Sequence, residues 1–167
     1  MKRFFILLLK PLSFLPALAI MYMIFTFSAQ EGNISSNLSY NVSHKIVTIG
    51  DQILGKDLSD EQIDYYTERI HGPVRKLAHM SEYFILAVAV AFPLYVYRLR
   101  GLPLLLLAGT LCVGFAVLDE YHQSFVAGRS PSVRDVMIDS IGVFLGIMAV
   151  RIVCWMFLPH HKKPKRR

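Results

Sequence analysis

The sequence predicts an all-α integral membrane protein, a four-helix bundle with both termini in the cytoplasm. Three observations predict this fold class. Hydrophobic residues make up 54% of the 167 residues, and four stretches approach the ~20 apolar residues that cross a bilayer. The lysines and arginines also concentrate on one side of the predicted membrane. We therefore expect one membrane domain over residues 1–167.

The four predicted spans cover roughly residues 12–27, 77–97, 102–118 and 136–158. The first resembles a signal peptide, because Lys2 and Arg3 precede its apolar run. A cleavable signal has an apolar core of only about 7–15 residues. This run is longer and three further spans follow it, so we predict a retained anchor.

The orientation follows from the tendency of basic residues to stay in the cytoplasm. With the N-terminus inside, all 12 acidic residues, from Glu31 to Asp139, lie toward the outer side. Eleven of the 18 lysines and arginines then lie toward the inner side. The basic C-terminal tail, residues 160–167, is interpreted as a topological anchor that attracts anionic lipid. Nucleic acid is not expected to be a partner.

The long segment at residues 31–73 is expected outside the membrane. Apolar residues recur in it at spacings of three and four, which predicts an amphipathic helix. Ser59 and Gln62 form a capping-box pattern, which predicts a second short helix running toward Arg69. These helices could lie on the membrane surface or cover the bundle. The apolar stripe of the first helix comprises Ile34, Leu38, Val42, Ile46, Ile49 and Ile53.

Ionisable residues cluster at the predicted outer ends of the spans. Each costs about 2.5–3.5 kcal/mol inside a membrane, so such residues are candidates for function. Pairing that only fixes helix register is the alternative explanation, but it accounts less well for so large a set. The bundle is expected to gather these residues in one pocket open to the outside. They are Arg75, His79 and Glu82 on the second span, Asp119, Glu120, His122 and Gln123 at the end of the third, Arg129 in the following loop, and Arg134, Asp135 and Asp139 on the fourth.

This cluster supports three interpretations. The first is a binding site in which the arginines engage phosphate or carboxylate. Its ligand-binding candidates are Arg75, Asp119, Gln123, Arg129, Arg134, Asp135 and Asp139. The second is an intramembrane hydrolase or transferase with His79, Glu82, Glu120 and His122 as catalytic candidates. The third is proton or solute transport, which the apolar inner halves of the spans disfavour.

The enzyme interpretation includes a possible divalent metal. His79-x-x-Glu82 and Asp119-x-x-His122 each place a nitrogen and an oxygen ligand one helical turn apart. Asp135 or Asp139 could complete such a site. Without a metal, either histidine beside a carboxylate could act as a general base.

Several motifs resemble those of the VanZ-like membrane protein family. Residues 75–79 (RKLAH) with Glu82-Tyr83 resemble its first motif, and residues 119–129 (DEYHQSFVAGR) its second. Asp135, Asp139 and Gly142 resemble the third, and residues 27–30 (FSAQ) resemble the usual end of the first helix. The resemblance covers nearly the whole chain, although residues 31–70 match only as a variable outer segment. Ala127 replaces a proline common in the family.

The resemblance implies a cellular location and a class of ligand, but it does not imply a chemical reaction. The family is named for a protein that protects bacteria against teicoplanin, a lipoglycopeptide antibiotic. It therefore implies a bacterial plasma membrane, and it suggests a lipid-linked cell-wall intermediate or a lipoglycopeptide as ligand. The sequence leaves the oligomeric state open. Gly142 and Gly146 form a small-xxx-small pair that could pack within one chain or between two.

Overall fold

The computed structural model describes residues 11–157 and contains five α-helices in that part of the chain. All of them except α2 are long and apolar enough to cross a membrane, when α1 is counted with the turn before it. For the described residues, the prediction of an all-α fold with four segments able to span a membrane is therefore confirmed. After a 3-10 turn at Pro11–Phe14, the helices are α1 (Leu15–Ser28), α2 (Gly32–Leu54), α3 (Asp60–Val96), α4 (Leu102–Gln123) and α5 (Val133–Phe157).

The cytoplasmic placement of both termini stays a prediction. The basic residues that weigh most in it belong to residues 1–10 and 158–167, which lie outside the described part of the chain. The predicted end of the last span at Leu158 also lies there. Within the described residues, α4 continues past the predicted limit of residue 118 to Gln123. Its polar last turn is therefore helical.

The segment that was predicted to lie outside the membrane forms a helical hairpin from α2 and the first part of α3. Gly55 ends α2 with φ at +57°, a conformation that glycine adopts without steric cost. The capping box predicted at Ser59 is confirmed, since the Ser59 and Gln62 side chains each accept a hydrogen bond from the other's backbone N–H.

The predicted short helix ending near Arg69 was wrong, because α3 continues without a break for 37 residues. Pro73 lies inside it and removes one backbone hydrogen bond. Contacts on both sides of the proline offset this loss. Tyr40 of α2 donates to Asp64 before it, and Lys76 pairs with Asp135 of α5 after it. At 1.5 Å per residue α3 is roughly 55 Å long, well beyond the ~30 Å of a hydrocarbon core.

Helix α2 packs on α3 through its small polar residues, not through its apolar stripe. Ser39 and Ser43 are buried, and so is Thr67 on α3. The three hydroxyls donate to carbonyls in their own helices, so they need no partner from the opposite helix. The six residues of the predicted stripe are 43–78% exposed. The amphipathic helix is thus present, with its apolar side facing away from the rest of the described chain.

Two glycines bring α3 and α5 into close contact. A Cβ atom on Gly142 would collide with the carbonyl oxygen of Met80, and one on Gly146 would lie 2.5 Å from that of Phe84. The small-xxx-small pair therefore packs against α3 of the same chain. The sequence had left open whether it packs within one chain or between two. Close backbone approach of this kind replaces the hydrophobic driving force that lipid does not provide.

Helix α1 runs antiparallel to α3, and this arrangement gives the bundle two different ends. At one end the Ser13 and Tyr97 hydroxyls are 2.7 Å apart. At the other end Ser28 meets Asp119 of α4. The acidic residues of the spans all lie toward this second end, where α4 finishes and α5 begins.

Candidate ligand-binding pocket

The polar residues at the second end of the bundle surround a pocket of about 300 Å³. The middle of α3, the end of α4, the start of α5 and the loop at residues 124–132 form its walls. Both cationic and anionic side chains line it. The polar lining residues are His71, Arg75, Lys76, His79, Glu120, Gln123, Arg129, Ser130, Asp135 and Asp139.

Two arginines enter the pocket, Arg75 from α3 and Arg129 from the loop. Burial, followed by the positive charge of Arg75, lowers the pKa of Arg129 from its ordinary value. A guanidinium group still remains protonated at neutral pH. The Nη1 atom of Arg129 is buried and has no hydrogen-bond partner among residues 11–157. Arg75 makes neither a hydrogen bond nor an ion pair with the described residues. The pocket therefore presents two neighbouring cations with unused donors.

Two of the three acidic lining residues hold the walls in place. The Nζ atom of Lys76 donates to Oδ1 of Asp135 at 2.8 Å, which joins α3 to the first turn of α5. Oε1 of Glu120 accepts from the backbone N–H of Ser132 at 2.6 Å, which fixes the end of the loop. Within the described residues, neither of these carboxylates forms an ion pair with Arg75 or Arg129.

The third acidic lining residue is Asp139. It is only 6% exposed, and its Oδ1 atom accepts no hydrogen bond from the rest of the described chain. His79 also lines the pocket, and its Nδ1 atom lies 3.4 Å from Oε2 of Glu82. The pocket thus contains an unsatisfied acceptor as well as cations. An unsatisfied buried polar atom is rare enough in folded proteins to call for a ligand or water.

A buried hydrogen-bonded group joins α1 to α4 beside the pocket. The Ser28 hydroxyl donates to Oδ2 of Asp119 at 2.8 Å, and Nε2 of Gln123 donates to the same atom at 3.0 Å. All three side chains are buried. Asp119 therefore contacts other parts of the bundle and does not line the pocket.

The loop before α5 also binds the end of α1. Arg129 donates through Nε to the carbonyl of Gln30 at 3.2 Å and through Nη2 to that of Phe27 at 3.4 Å. The backbone N–H of Gly32 donates to Ala127 at 3.0 Å. The two motifs at residues 27–30 and 119–129 are therefore in direct contact, although about 90 residues separate them in the sequence.

The predicted cluster divides into two sets. Seven candidates line the pocket, namely Arg75, His79, Glu120, Gln123, Arg129, Asp135 and Asp139. Four do not: Glu82 and Asp119 lie deeper, Arg134 is exposed, and His122 stacks on Phe25 with ring centroids 4.2 Å apart. Asp119, His122 and Gln123 share one face of their helix, but only Gln123 lines the pocket. A shared helix face was therefore not enough to predict which residues line it.

Sequence reasoning missed Lys76 and His71. Lys76 lies within the first motif beside Arg75, and its partner Asp135 was already a candidate. A search for cations able to neutralise Asp135 would have found it. His71 lies one turn before Arg75 in what was predicted to be loop, so the error in the extent of α3 concealed it.

The arrangement gives no support to the metal hypothesis. No group of three histidine, cysteine or acidic side chains in residues 11–157 is arranged to hold a metal ion. His79 and Glu82 are on α3, whereas the ring of His122 packs on α1. The two histidine–acid pairs thus do not converge on one point.

We expect Ser28→Ala to destabilise the bundle by about 1–3 kcal/mol, because it removes a buried donor from Asp119. Thermal unfolding of the detergent-purified protein measures the effect. Ser81→Ala is the control, since its exposed hydroxyl bonds only to the Leu77 carbonyl of its own helix. Equal stability of the two variants would contradict a structural role for the Ser28–Asp119 contact.

Comparison with known proteins identifies the family of this chain. The family model described as VanZ/LLP1 matches residues 13–155, which include the pocket and all five helices except the last two residues of α5. No curated protein and no solved structure matches the chain significantly. Because the match extends over most of the sequence, the resemblance to this family is confirmed. The chain belongs to the VanZ-like family of membrane proteins.

Proposed function

We propose that this protein binds the anionic head group of a lipid-linked or acylated cell-envelope molecule in the pocket. The observation that carries the proposal is the pair Arg75 and Arg129. Two like charges repel each other more strongly in a partly buried site than in water. An anion between them removes that repulsion and satisfies the unused donors.

The chemistry of the pair favours phosphate or carboxylate. A guanidinium group binds such oxyanions through two parallel hydrogen bonds. Hydrogen bonds to charged groups contribute about 1.5–3 kcal/mol each. Asp139 adds a buried acceptor, which suits a ligand that carries hydroxyl or amide donors beside its anionic group. A phosphate joined to a sugar, or the carboxylate of a peptide, has this combination.

We further propose that the pocket opens on the outer side of a bacterial plasma membrane. The support is the predicted orientation with both termini inside, which puts the end of α4 and the start of α5 in the outer leaflet. Envelope intermediates carried on lipids occupy that depth. The family's link to teicoplanin resistance adds a lipoglycopeptide to the ligands worth testing.

The alternative of an intramembrane enzyme has less support. Only His79 and Glu120 of its four catalytic candidates line the pocket. The carboxylate of Glu120 already accepts a backbone hydrogen bond from Ser132. A general base must lie within hydrogen-bond reach of the substrate proton, and Glu82 and His122 do not line the pocket.

The proposal is tested with the protein in nanodiscs of zwitterionic lipid. The probe is a radiolabelled long-chain alkyl phosphate, and the matching alkyl alcohol competes against it. We expect the phosphate to bind far more tightly than the alcohol, and Arg75→Gln to weaken its binding about 10- to 100-fold, the range for losing one charge-assisted contact of about 1.5–3 kcal/mol.

Arg69→Gln is the matched control. It makes the same substitution on the same helix, but Arg69 is exposed, and among the described residues its guanidinium group bonds to Tyr65. Its binding should equal that of the wild type. Equal loss in the two variants, or equal binding of phosphate and alcohol, would overturn the proposal.

A further inference from the structure

A second cavity, of about 520 Å³, lies between α4 and α5 below the pocket. Its walls are almost entirely apolar and include Leu106, Val117, Phe144 and Ile147. Leu106 and Phe144 are more than half exposed on the surface of the described chain. The cavity is thus an open groove on the side of the bundle that faces the bilayer.

Two glycines of α4 give this groove its depth. Nothing lies within 4 Å of the position that a Cβ atom would take on Gly109 or Gly114. This contrasts with Gly142 and Gly146, whose Cβ positions are filled by α3. Glycine has a low helix propensity, yet no close contact within the described chain requires glycine at either of these two positions of α4.

The groove begins within one helical turn of the pocket on both helices. Val117 precedes Glu120 by three residues on α4, and Ser140 directly follows Asp139 on α5. From Leu105 to Val117 the groove extends roughly 18 Å along α4, at 1.5 Å per residue. One leaflet of the hydrocarbon core is about 15 Å deep, half of ~30 Å. A hydrocarbon chain that hangs from the pocket into the outer leaflet would therefore lie along it.

We propose that the groove holds the hydrocarbon chain of the ligand whose head group occupies the pocket, an inference that rests on the proposed function. Lipid already surrounds the groove, so the chain gains no hydrophobic free energy by leaving the bilayer. Selectivity arises instead from dispersion contacts with the groove walls, which are small individually and add up along the chain. The ligand is thus an amphiphile selected by its chain as well as by its charge.

The test compares long-chain and short-chain alkyl phosphates, with affinities expressed per mole of probe in the bilayer so that partitioning cancels. We expect the wild type to prefer the long chain at least tenfold. Gly114→Leu fills the groove without a steric clash, so it should reduce this preference at least fivefold and leave short-chain binding unchanged. Leu111→Phe is the control, because Leu111 is a lipid-facing residue of the same helix outside the groove.

The outcomes separate the two proposals. If neither phosphate binds in an Arg75-dependent way, both the proposed function and the groove proposal fail. If both bind through Arg75 but Gly114→Leu keeps the preference, only the groove proposal is overturned.

Thr110 and Gly114 are four residues apart, a spacing that also suits a helix of a second copy of this chain. If Gly114→Leu changes the oligomeric state in nanodiscs but keeps the preference for the long-chain phosphate, the groove binds a helix of a second copy, and the hydrocarbon-chain proposal is overturned.

A diazirine at the end of the long hydrocarbon chain supplies a direct measurement. It should label Leu106 or its neighbours in the wild type, and labelling there should be lost in Gly114→Leu.

Discussion

Gly142→Leu is expected to prevent the bundle from folding. The added Cβ atom alone would occupy the place of the Met80 carbonyl oxygen, which belongs to the backbone of α3 and cannot rotate away. Overpacking in a core costs about 1–3 kcal/mol, or more where the surroundings cannot move. Here relief requires α3 and α5 to separate along their closest contact. The yield of monodisperse protein after detergent extraction measures the effect. Gly142→Ala adds the same Cβ atom and should also lower yield and thermal stability, but by less, because it lacks the rest of the leucine side chain.

Gly114→Leu is the control for this prediction as well. It makes the same substitution in a neighbouring span, where the Cβ position is open. It should fold with a yield close to that of the wild type. Normal folding of Gly142→Leu would mean that α3 and α5 do not meet as described.

Arg129→Gln is expected to have the largest effect on ligand binding. It removes the pocket cation whose Nη1 atom is buried and also the hydrogen bonds to the carbonyls of Phe27 and Gln30. We therefore expect affinity for the long-chain alkyl phosphate to fall by about 100-fold or more, equivalent to about 2.7 kcal/mol. Equilibrium binding in nanodiscs measures the loss.

Arg129→Lys should recover only part of this affinity, because an ammonium group cannot bond two carbonyls and an oxyanion in one plane. Ser28→Ala controls for indirect effects, since it loosens the same junction of α1 and α4 without changing the charge of the pocket. Its folded fraction should bind normally. Full affinity in Arg129→Lys would show that charge alone, and not guanidinium geometry, accounts for binding.

Much of the fold could be predicted from local sequence patterns. The four apolar runs predicted the spans, because any segment in hydrocarbon must satisfy its backbone hydrogen bonds internally and is therefore helical. The capping box at Ser59 was predictable for the same local reason. The extent of α3 was not, because Pro73 ends a helix in isolation and only contacts with α2 and α5 keep it continuous.

The candidate site could be predicted only as a set of residues. Buried charges are costly enough in a membrane to identify the cluster without a structure. Helical periodicity placed Arg75 and His79 on one side of α3, and both line the pocket. The same periodicity placed Glu82 on that side of α3, but Glu82 lies one turn further along the helix and does not line the pocket. Spacing along one helix describes a face but not the depth at which a neighbouring helix covers it.

The sequence by itself determined which segments are helical, which of them are apolar enough to span a membrane, and which charges are too costly to be incidental. These properties depend on residues close together in the chain. The tertiary structure alone decided that Gly142 and Gly146 pack within the chain, that Asp119 bonds to Ser28, and that Arg75 and Arg129 share one pocket. The reason is physical: each of these contacts joins different helices, and the helix faces that meet depend on the packing of the whole bundle.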